Sequence, residues 1–267
     1  STPTLHSTVA LVKKYGSTYS SVCSGILIAP RLVLTASHCV ESSKTKLSVL
    51  FATADTDQDA KIVEIDKSLT FKKEGSRFFP NFDIAWVKLK SDAPAPWEPV
   101  ELLRSSDTLQ SIEGLREKIL LAGFGRTASV CINSQCMGRL YEVWTNLKHF
   151  FNEAHFVNLL VIGPNTGHGS CNGDSGGPAF VQIDNRWYLA GILNGKSPLL
   201  NSPNLWEKGV CESGEAIYNF AGAYIDWIQA TSGITLTFDD VANPSKVQPV
   251  TLMKASALGS NPTLEQF

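Results

Sequence analysis

The chain has 267 residues, 43% of them hydrophobic and 18% charged, with a formal net charge of −2 and a pI near 6.2. That balance excludes a general electrostatic attraction to nucleic acid or acidic membranes, and no apolar run approaches the length of a membrane span. The length is large for one domain and comfortable for two small ones.

Along the chain, short apolar or alternating runs rich in Val, Ile and Leu come first: TVALV, CSGILIA, RLVLTA, KLSVLFA, KIVEI and DIAWVKL, separated by Gly, Pro, Ser and Asp clusters. These read as strands. The Pro-rich stretch SDAPAPWEPV (91–100) and the polar segment after it read as a linker over 101–117. Strands resume with KILLAGFG, LYEVWT, AFVQI, RWYLAGIL and EAIYNF. Two segments read as helices, LKHFFNEAHFV (147–157) and AGAYIDWIQA (221–230), the second with Tyr224, Ile225 and Ile228 spaced to pack on a core. The segment from 233 to 267 has little periodicity and few aromatics, and reads as a flexible tail or linker, with a strand docked on the second half as the less favoured alternative. The whole is an all-β pattern in two halves, 1–100 and 118–232, of the kind that closes into sandwiches or barrels.

Six cysteines are present: Cys23, Cys39, Cys131, Cys136, Cys171 and Cys211. No C-x-x-C or Cys/His spacing suggests zinc, so disulfides and an oxidising, extracytoplasmic compartment are expected, with the pairing left open by the sequence. Ser1 is not an initiator Met and no basic-then-apolar leader follows it, which points to a leader that was removed or lies outside this sequence.

GDSGGPAF (173–180) sets a serine among glycines. It reads either as a turn or as a nucleophile whose neighbouring N–H groups face a developing oxyanion, and it also fits the G-x-S-x-G elbow of α/β-hydrolases. Nucleophilic serine chemistry needs a base, and an acid to orient that base. All five histidines, His6, His38, His149, His155 and His168, precede Ser175. The α/β-hydrolase order, with His after Ser, therefore fails, and no acid precedes His38, so a subtilisin order would require one of the later histidines. The remaining simple order is His, Asp, Ser. His38 closes an apolar strand in LVLTASHCV, and Asp83 opens one in NFDIAWVKL. Taken singly, these would be a half-buried histidine and a strand-terminating acid.

TASHC, DIAWVKL and GDSGGP resemble the His, Asp and Ser motifs of the trypsin/chymotrypsin-like serine proteases. GFG (123–125) stands where that family usually has Gly-Trp-Gly, and Tyr224 and Trp227 match its C-terminal helix, so the resemblance covers roughly residues 8 to 230. It implies two antiparallel six-stranded β-barrels, a C-terminal helix, and a cleft between the barrels holding His38, Asp83 and Ser175. It also implies disulfides Cys23–Cys39 and Cys171–Cys211, which leaves Cys131 and Cys136 to close a short loop. Gly173 and Ser175 would supply the oxyanion hole, and no metal or organic cofactor is needed. The expected partners are protein or peptide substrates, and protein inhibitors or an activating partner.

The chain departs from the family in three places. It begins STPTLHSTVALV, without the Ile-Val-Gly-Gly start whose amino group pairs with the acid before the serine, here Asp174; Ser1, another cation or a different loop arrangement must take that role. At the specificity pocket, Gly169 with Ser170 beside it stands where trypsin-like members carry the Asp that selects Lys or Arg, and Ala216 replaces a wall glycine. On the substrate strand, the usual Ser-Trp-Gly is Asn194, Gly195 and Lys196. A lysine there is ordinarily solvent-facing. The sequence thus supports an active endopeptidase that does not prefer basic residues, and leaves open a latent form or a non-cleaving binding protein.

Overall fold

A computed structural model describes residues 2–41, 46–72, 82–116, 118–128, 136–153, 156–163, 169–196, 211, 215–239 and 265–266. A single helical turn, α1 (Thr4–Ser7), precedes the first sheet. That sheet comprises β1 (Thr8–Tyr15), β2 (Thr18–Ala29), β3 (Leu32–Thr35), β4 (Leu47–Phe51), β5 (Lys61–Thr70) and β6 (Ala85–Leu89), and the short helix α2 (Ser37–Glu41) follows β3. Its strands run antiparallel in the order β1-β2-β3-β6-β5-β4, and β4 pairs back onto β1 to close a barrel.

After β7 (Glu101–Leu102) and helix α3 (Ser106–Ile112) comes the second set: β8 (Ile119–Gly123), β9 (Tyr141–Phe151), β10 (Leu159–Gly163), β11 (Pro178–Ile183), β12 (Arg186–Lys196) and β13 (Ala216–Phe220). These pair in the order β8-β9-β10-β13-β12-β11, and β11 returns to β8, so this sheet is also a closed six-stranded antiparallel barrel. β7 adds a parallel pairing to β12, and β14 (Glu265–Gln266) an antiparallel one to β9. A 3-10 turn at Ala221–Tyr224 leads into the C-terminal helix α4 (Ile225–Ser232). Gly233 ends it with a left-handed φ of 71°, the conformation a helix C-cap favours. The chain then continues against the second barrel: Phe238 bridges to Leu102, and Asp239 accepts the Arg104 N–H. Among the described residues no helix is long and apolar enough to cross a membrane.

The continuous apolar runs follow from how the barrels stack. Val9, Leu27, Val33 and Val87 fill the first barrel, and Leu121, Leu147, Leu160 and Val181 the second. The alternate residues of the same strands, Ala10, Ile26, Leu34, Trp86, Phe180 and Ile192, meet between the barrels together with Tyr224 and Ile228. Strands covered on both faces lose the apolar–polar alternation. Trp86 is fully buried in that interface, and its Nε1–H donates to Thr231 Oγ1 at 2.9 Å, tying α4 to the first barrel.

One expectation is corrected. The helix expected from residue 147 is not formed over Leu147–Phe151, which completes β9 and pairs with β10. The register slips between Val161 and Ile162, whose partners are His149 and Leu147, so Lys148 is the extra residue of a bulge. That bulge turns Leu147 and Phe150, three residues apart, to the same buried side. Three-residue apolar spacing is the mark of a helix in sequence, and here a strand irregularity produces it. His155 lies outside the described residues.

Candidate active site

α2 sets His38 at the rim of the first barrel immediately after β3, and the Cys23–Cys39 disulfide bonds that turn to β2. Asp83 lies just before β6. Its Oδ1 accepts the His38 backbone N–H at 2.9 Å, and its Oδ2 lies 2.6 Å from His38 Nδ1. An ionised carboxylate only accepts, so the proton belongs on Nδ1 and Nε2 is left as the basic nitrogen. The His38 side chain is 44% exposed and that of Asp83 10%. The hydrogen bond from Asp83, helped by its charge and opposed by burial, raises the His38 pKa above its ordinary 6.5.

Asp83 itself is held from both sides. Phe82 takes a left-handed φ of 67°, and the Ile84 N–H donates back to the Phe82 carbonyl at 2.9 Å, turning the chain tightly at Asp83. Asn219 of β13 donates from Nδ2 to the Asp83 carbonyl at 3.1 Å. Burial, with the Asp83 charge adding, pushes the Tyr224 phenol far up, so it stays protonated.

Ser175 sits in the turn before β11, in the second barrel. Main-chain bonds hold this turn: Gly177 N–H to the Asp174 carbonyl at 2.7 Å, Gly176 N–H to the Leu193 carbonyl at 2.8 Å, and Leu193 N–H to the Gly177 carbonyl at 2.9 Å. The first barrel contributes Ser24, fully buried on β2. Its N–H donates to the Ser175 carbonyl at 2.8 Å, its hydroxyl donates to the Gly173 carbonyl at 3.1 Å, and the same oxygen accepts the Phe124 N–H at 2.9 Å. Cys39 Sγ lies 3.5 Å from the Ser175 carbonyl oxygen, which sets the serine's main chain beside the histidine turn.

The glycines after Ser175 serve packing as well as access. Gly176 has a φ of 80°, and a methyl there would run into Thr35 Oγ1 and the Ser24 carbonyl. The carboxylate of Asp174 accepts the Gly125 N–H at 2.7 Å and the Cys171 N–H at 2.8 Å. A methyl on Gly123 or Gly125 would collide with that carboxylate, which explains the glycines of GFG. Ser1 lies outside the described residues.

A cavity beside Asp174 is lined by Gly169, Ser170, Leu121, Gly125 and Tyr218 among others. Burial pushes the Tyr218 phenol up, and a hydrogen bond with Ser170 opposes the shift. Of the residues expected at the specificity pocket, Gly169 and Ser170 are those that line this cavity among the described residues. Asn194 and Ala216 are buried on β12 and β13, where Lys196 pairs with Ala216 and Gly195 with Ile217. Asn194 is the extra residue of a bulge between Leu193 and Gly195. The side chain of Lys196, and all of His168, lie outside the described residues.

Cys171 bonds to Cys211, and Cys136 is disulfide-bonded; the expected Cys131–Cys136 pairing lies outside the described residues on the Cys131 side. Cys23, His38 and Cys39 cluster closely enough to suggest a metal site, but the two sulfurs are bonded to each other and offer no thiolates. His149 pairs instead with Glu113, Nδ1 to Oε1 at 2.6 Å. Ser24 and Asn219 escape a reading by motif. The one signal for Asn219 is an amide in the otherwise apolar strand AIYNF, since a buried amide demands a partner.

The family model described as trypsin matches residues 3–228. The chain belongs to the trypsin family of serine proteases. It is 25% identical to vitamin K-dependent protein C of Rattus norvegicus over 79% of this chain and 46% of that protein, so it spans about half that relative's length. It is 29% identical to chymotrypsin-C of Bos taurus, over 79% of this chain and 78% of that one. Its fold matches the structure titled neuropsin, a serine protease expressed in the limbic system of mouse brain, with a TM-score of 0.64 and 21% identity over 86% of this chain and 96% of that one.

Proposed function

We propose that this trypsin-family chain is a secreted or extracytoplasmic serine endopeptidase that cleaves protein or peptide substrates through His38, Asp83 and Ser175. The observation that carries this reading is the pair of hydrogen bonds that Asp83 accepts from His38, from the backbone N–H and at Nδ1. It orients the ring, places the proton on Nδ1 and raises the basicity of Nε2. Ser175 Oγ attacks the scissile carbonyl while His38 Nε2 takes its proton. The N–H groups of Gly173 and Ser175 receive the oxyanion, a contribution of roughly 2.7–4 kcal/mol for one such donor. His38 then protonates the leaving amine, and water releases the acyl group by the same steps in reverse. Protein inhibitors or an activating partner are the further partners this reading expects.

The residue before the scissile bond is expected to be small or medium-sized and uncharged. Gly169 offers no anion to a Lys or Arg, and burying an unpaired cation is expensive. A substrate panel varied at that residue tests this, and dominant cleavage after Lys or Arg would contradict it. A preference for Glu or Asp that vanishes in Lys196→Ala would give the lysine a role in acidic recognition. The endopeptidase reading itself is tested with a serine-reactive fluorophosphonate probe. Strong labelling of the wild type, lost in Ser175→Ala, is expected, and a folded wild type that never labels would favour the latent or non-cleaving reading.

A further inference from the structure

We propose that Asn219 is a positioning residue for the catalytic pair: from the second barrel it holds the main chain at Asp83, in the first, in the orientation that lets the carboxylate grip His38. This rests on the endopeptidase reading of the same site. Asn219 is wholly inaccessible to solvent in β13, among Ile217, Tyr218 and Phe220, which are also buried. Its main chain is in register with Ile192 of β12 and Leu159 of β10, which leaves the side-chain amide as an extra polar group in an apolar strand. Such a group costs stability unless it is hydrogen-bonded. Its Nδ2 donates to the Asp83 carbonyl at 3.1 Å, while its Oδ1 is buried without a hydrogen-bond partner among the described residues. An apolar side chain would suit the strand better, so the amide is accounted for by the single bond it makes.

That bond falls where the backbone most needs support. Asp83 precedes the β6 ladder, which begins at Ala85, so strand pairing does not hold its carbonyl. The preceding residue, Phe82, is an aromatic in the left-handed region at φ 67°, a conformation that persists only when the surroundings over-determine it. Two of those surroundings belong to the first barrel: the Phe71 ring, 5.6 Å from that of Phe82, and the Phe71 N–H, which donates to the Ile84 carbonyl at 2.9 Å. Asn219 adds a hydrogen bond to this turn from the second barrel. Both Asp83 carboxylate oxygens are committed to His38, so a rotation of the Asp83 peptide would disturb both bonds at once. Misplacement by about 1 Å in such a constellation can cost on the order of 100-fold in rate.

The test compares wild type with Asn219→Ala and with Asn219→Leu, which removes the donor but keeps an apolar filling. For each, kcat and KM are measured, thermal unfolding is followed, and the His38 ring is titrated by proton NMR. Tyr224, the other titratable group beside Asp83 among the described residues, stays protonated throughout and does not confuse the titration. Expected for both variants are a 10- to 100-fold fall in kcat, little change in KM, and a His38 pKa lowered toward its ordinary value, whatever happens to the unfolding temperature. A folded variant with the wild-type His38 titration and kcat overturns the proposal. So does failure of both variants to fold, which would make Asn219 a purely structural residue. The NMR arm needs no turnover: a wild type that does not hydrolyse sinks the protease reading, while the His38 titrations still decide the role of Asn219.

Discussion

The two halves of the site are held by different physics. In the first barrel, His38 and Asp83 are joined by side-chain bonds to a carboxylate, with a disulfide at the adjacent Cys39. In the second barrel, the Ser175 turn is held by main-chain bonds, by the Asp174 carboxylate on two backbone N–H groups, and by glycines packed so closely that a methyl would not fit. Each half also leans on the other: Ser24 reaches from the first barrel to the serine turn, and Asn219 from the second to Asp83. A charge-assisted pair is tuned by pH and by its partner's charge, whereas a turn held by its backbone responds to shape.

The largest effect expected is in the serine half. Ser175→Ala removes a small hydroxyl in a cleft, so folding should be intact while kcat falls by roughly 10⁴- to 10⁶-fold. A variant that cleaves a peptide library at the wild-type rate would contradict the assignment.

Asp83→Asn should come close, at about 10⁴-fold in kcat, because the ring loses its favoured tautomer. It should also carry a pH signature that the serine half lacks. Asp83 raises the His38 pKa above 6.5, so the acid limb of kcat/KM in wild type lies above that value and should move down in the variant. The linked stability has a definite sign. A raised folded-state pKa stabilises fully below the unfolded value and loses its effect as pH rises through the folded one. The stability deficit of Asp83→Asn arising from this linkage should therefore be largest in acid and fade above the His38 pKa, which denaturant melts across pH would show.

Gly176→Ala probes shape alone. The left-handed backbone costs about 1–3 kcal/mol for a side-chain-bearing residue, and the clash with Thr35 and Ser24 adds to it. We expect a lower unfolding midpoint together with lost activity, and no displacement of the His38 pKa. A Gly176→Ala enzyme with normal kcat would show that the turn has room to spare.

Replacing Cys23 and Cys39 together by Ser opens a loop with a sequence separation of 16. The expected loss is about 3 kcal/mol, read as a fall in denaturant midpoint, with a smaller fall in kcat than in Asp83→Asn wherever the protein remains folded. The smallest effect is expected at the partly exposed His149–Glu113 pair, far from this chemistry in role. Glu113→Gln should cost no more than about 1 kcal/mol and leave kcat unchanged. A large activity loss there would mean that the contrast between the two halves omits a third contributor.

Much of this was legible in the residues. The short apolar runs, the turn residues between them and the order His38, Asp83, Ser175 are local or ordinal properties, and a linear chain carries those directly. The two barrels were available only through the resemblance, because apolar strands do not state their partners. Several features depended on contacts between segments far apart in the chain. The register of β9, with a bulge at Lys148, let Leu147 and Phe150 imitate a helix until β10 was beside them. Asp174, for which the sequence left a cation or a different loop arrangement open, sets its carboxylate on the N–H groups of Gly125 and Cys171, and that depends on where the GFG turn comes to rest. Ser24 and Asn219 are ordinary residues in apolar strands until the barrels dock and bring each opposite a carbonyl of the other half. Composition and order determine which groups exist and in what sequence. Hydrogen-bond partners 136 to 149 residues away are decided only when the interface packs, because a bond that short depends on the position of the whole barrel.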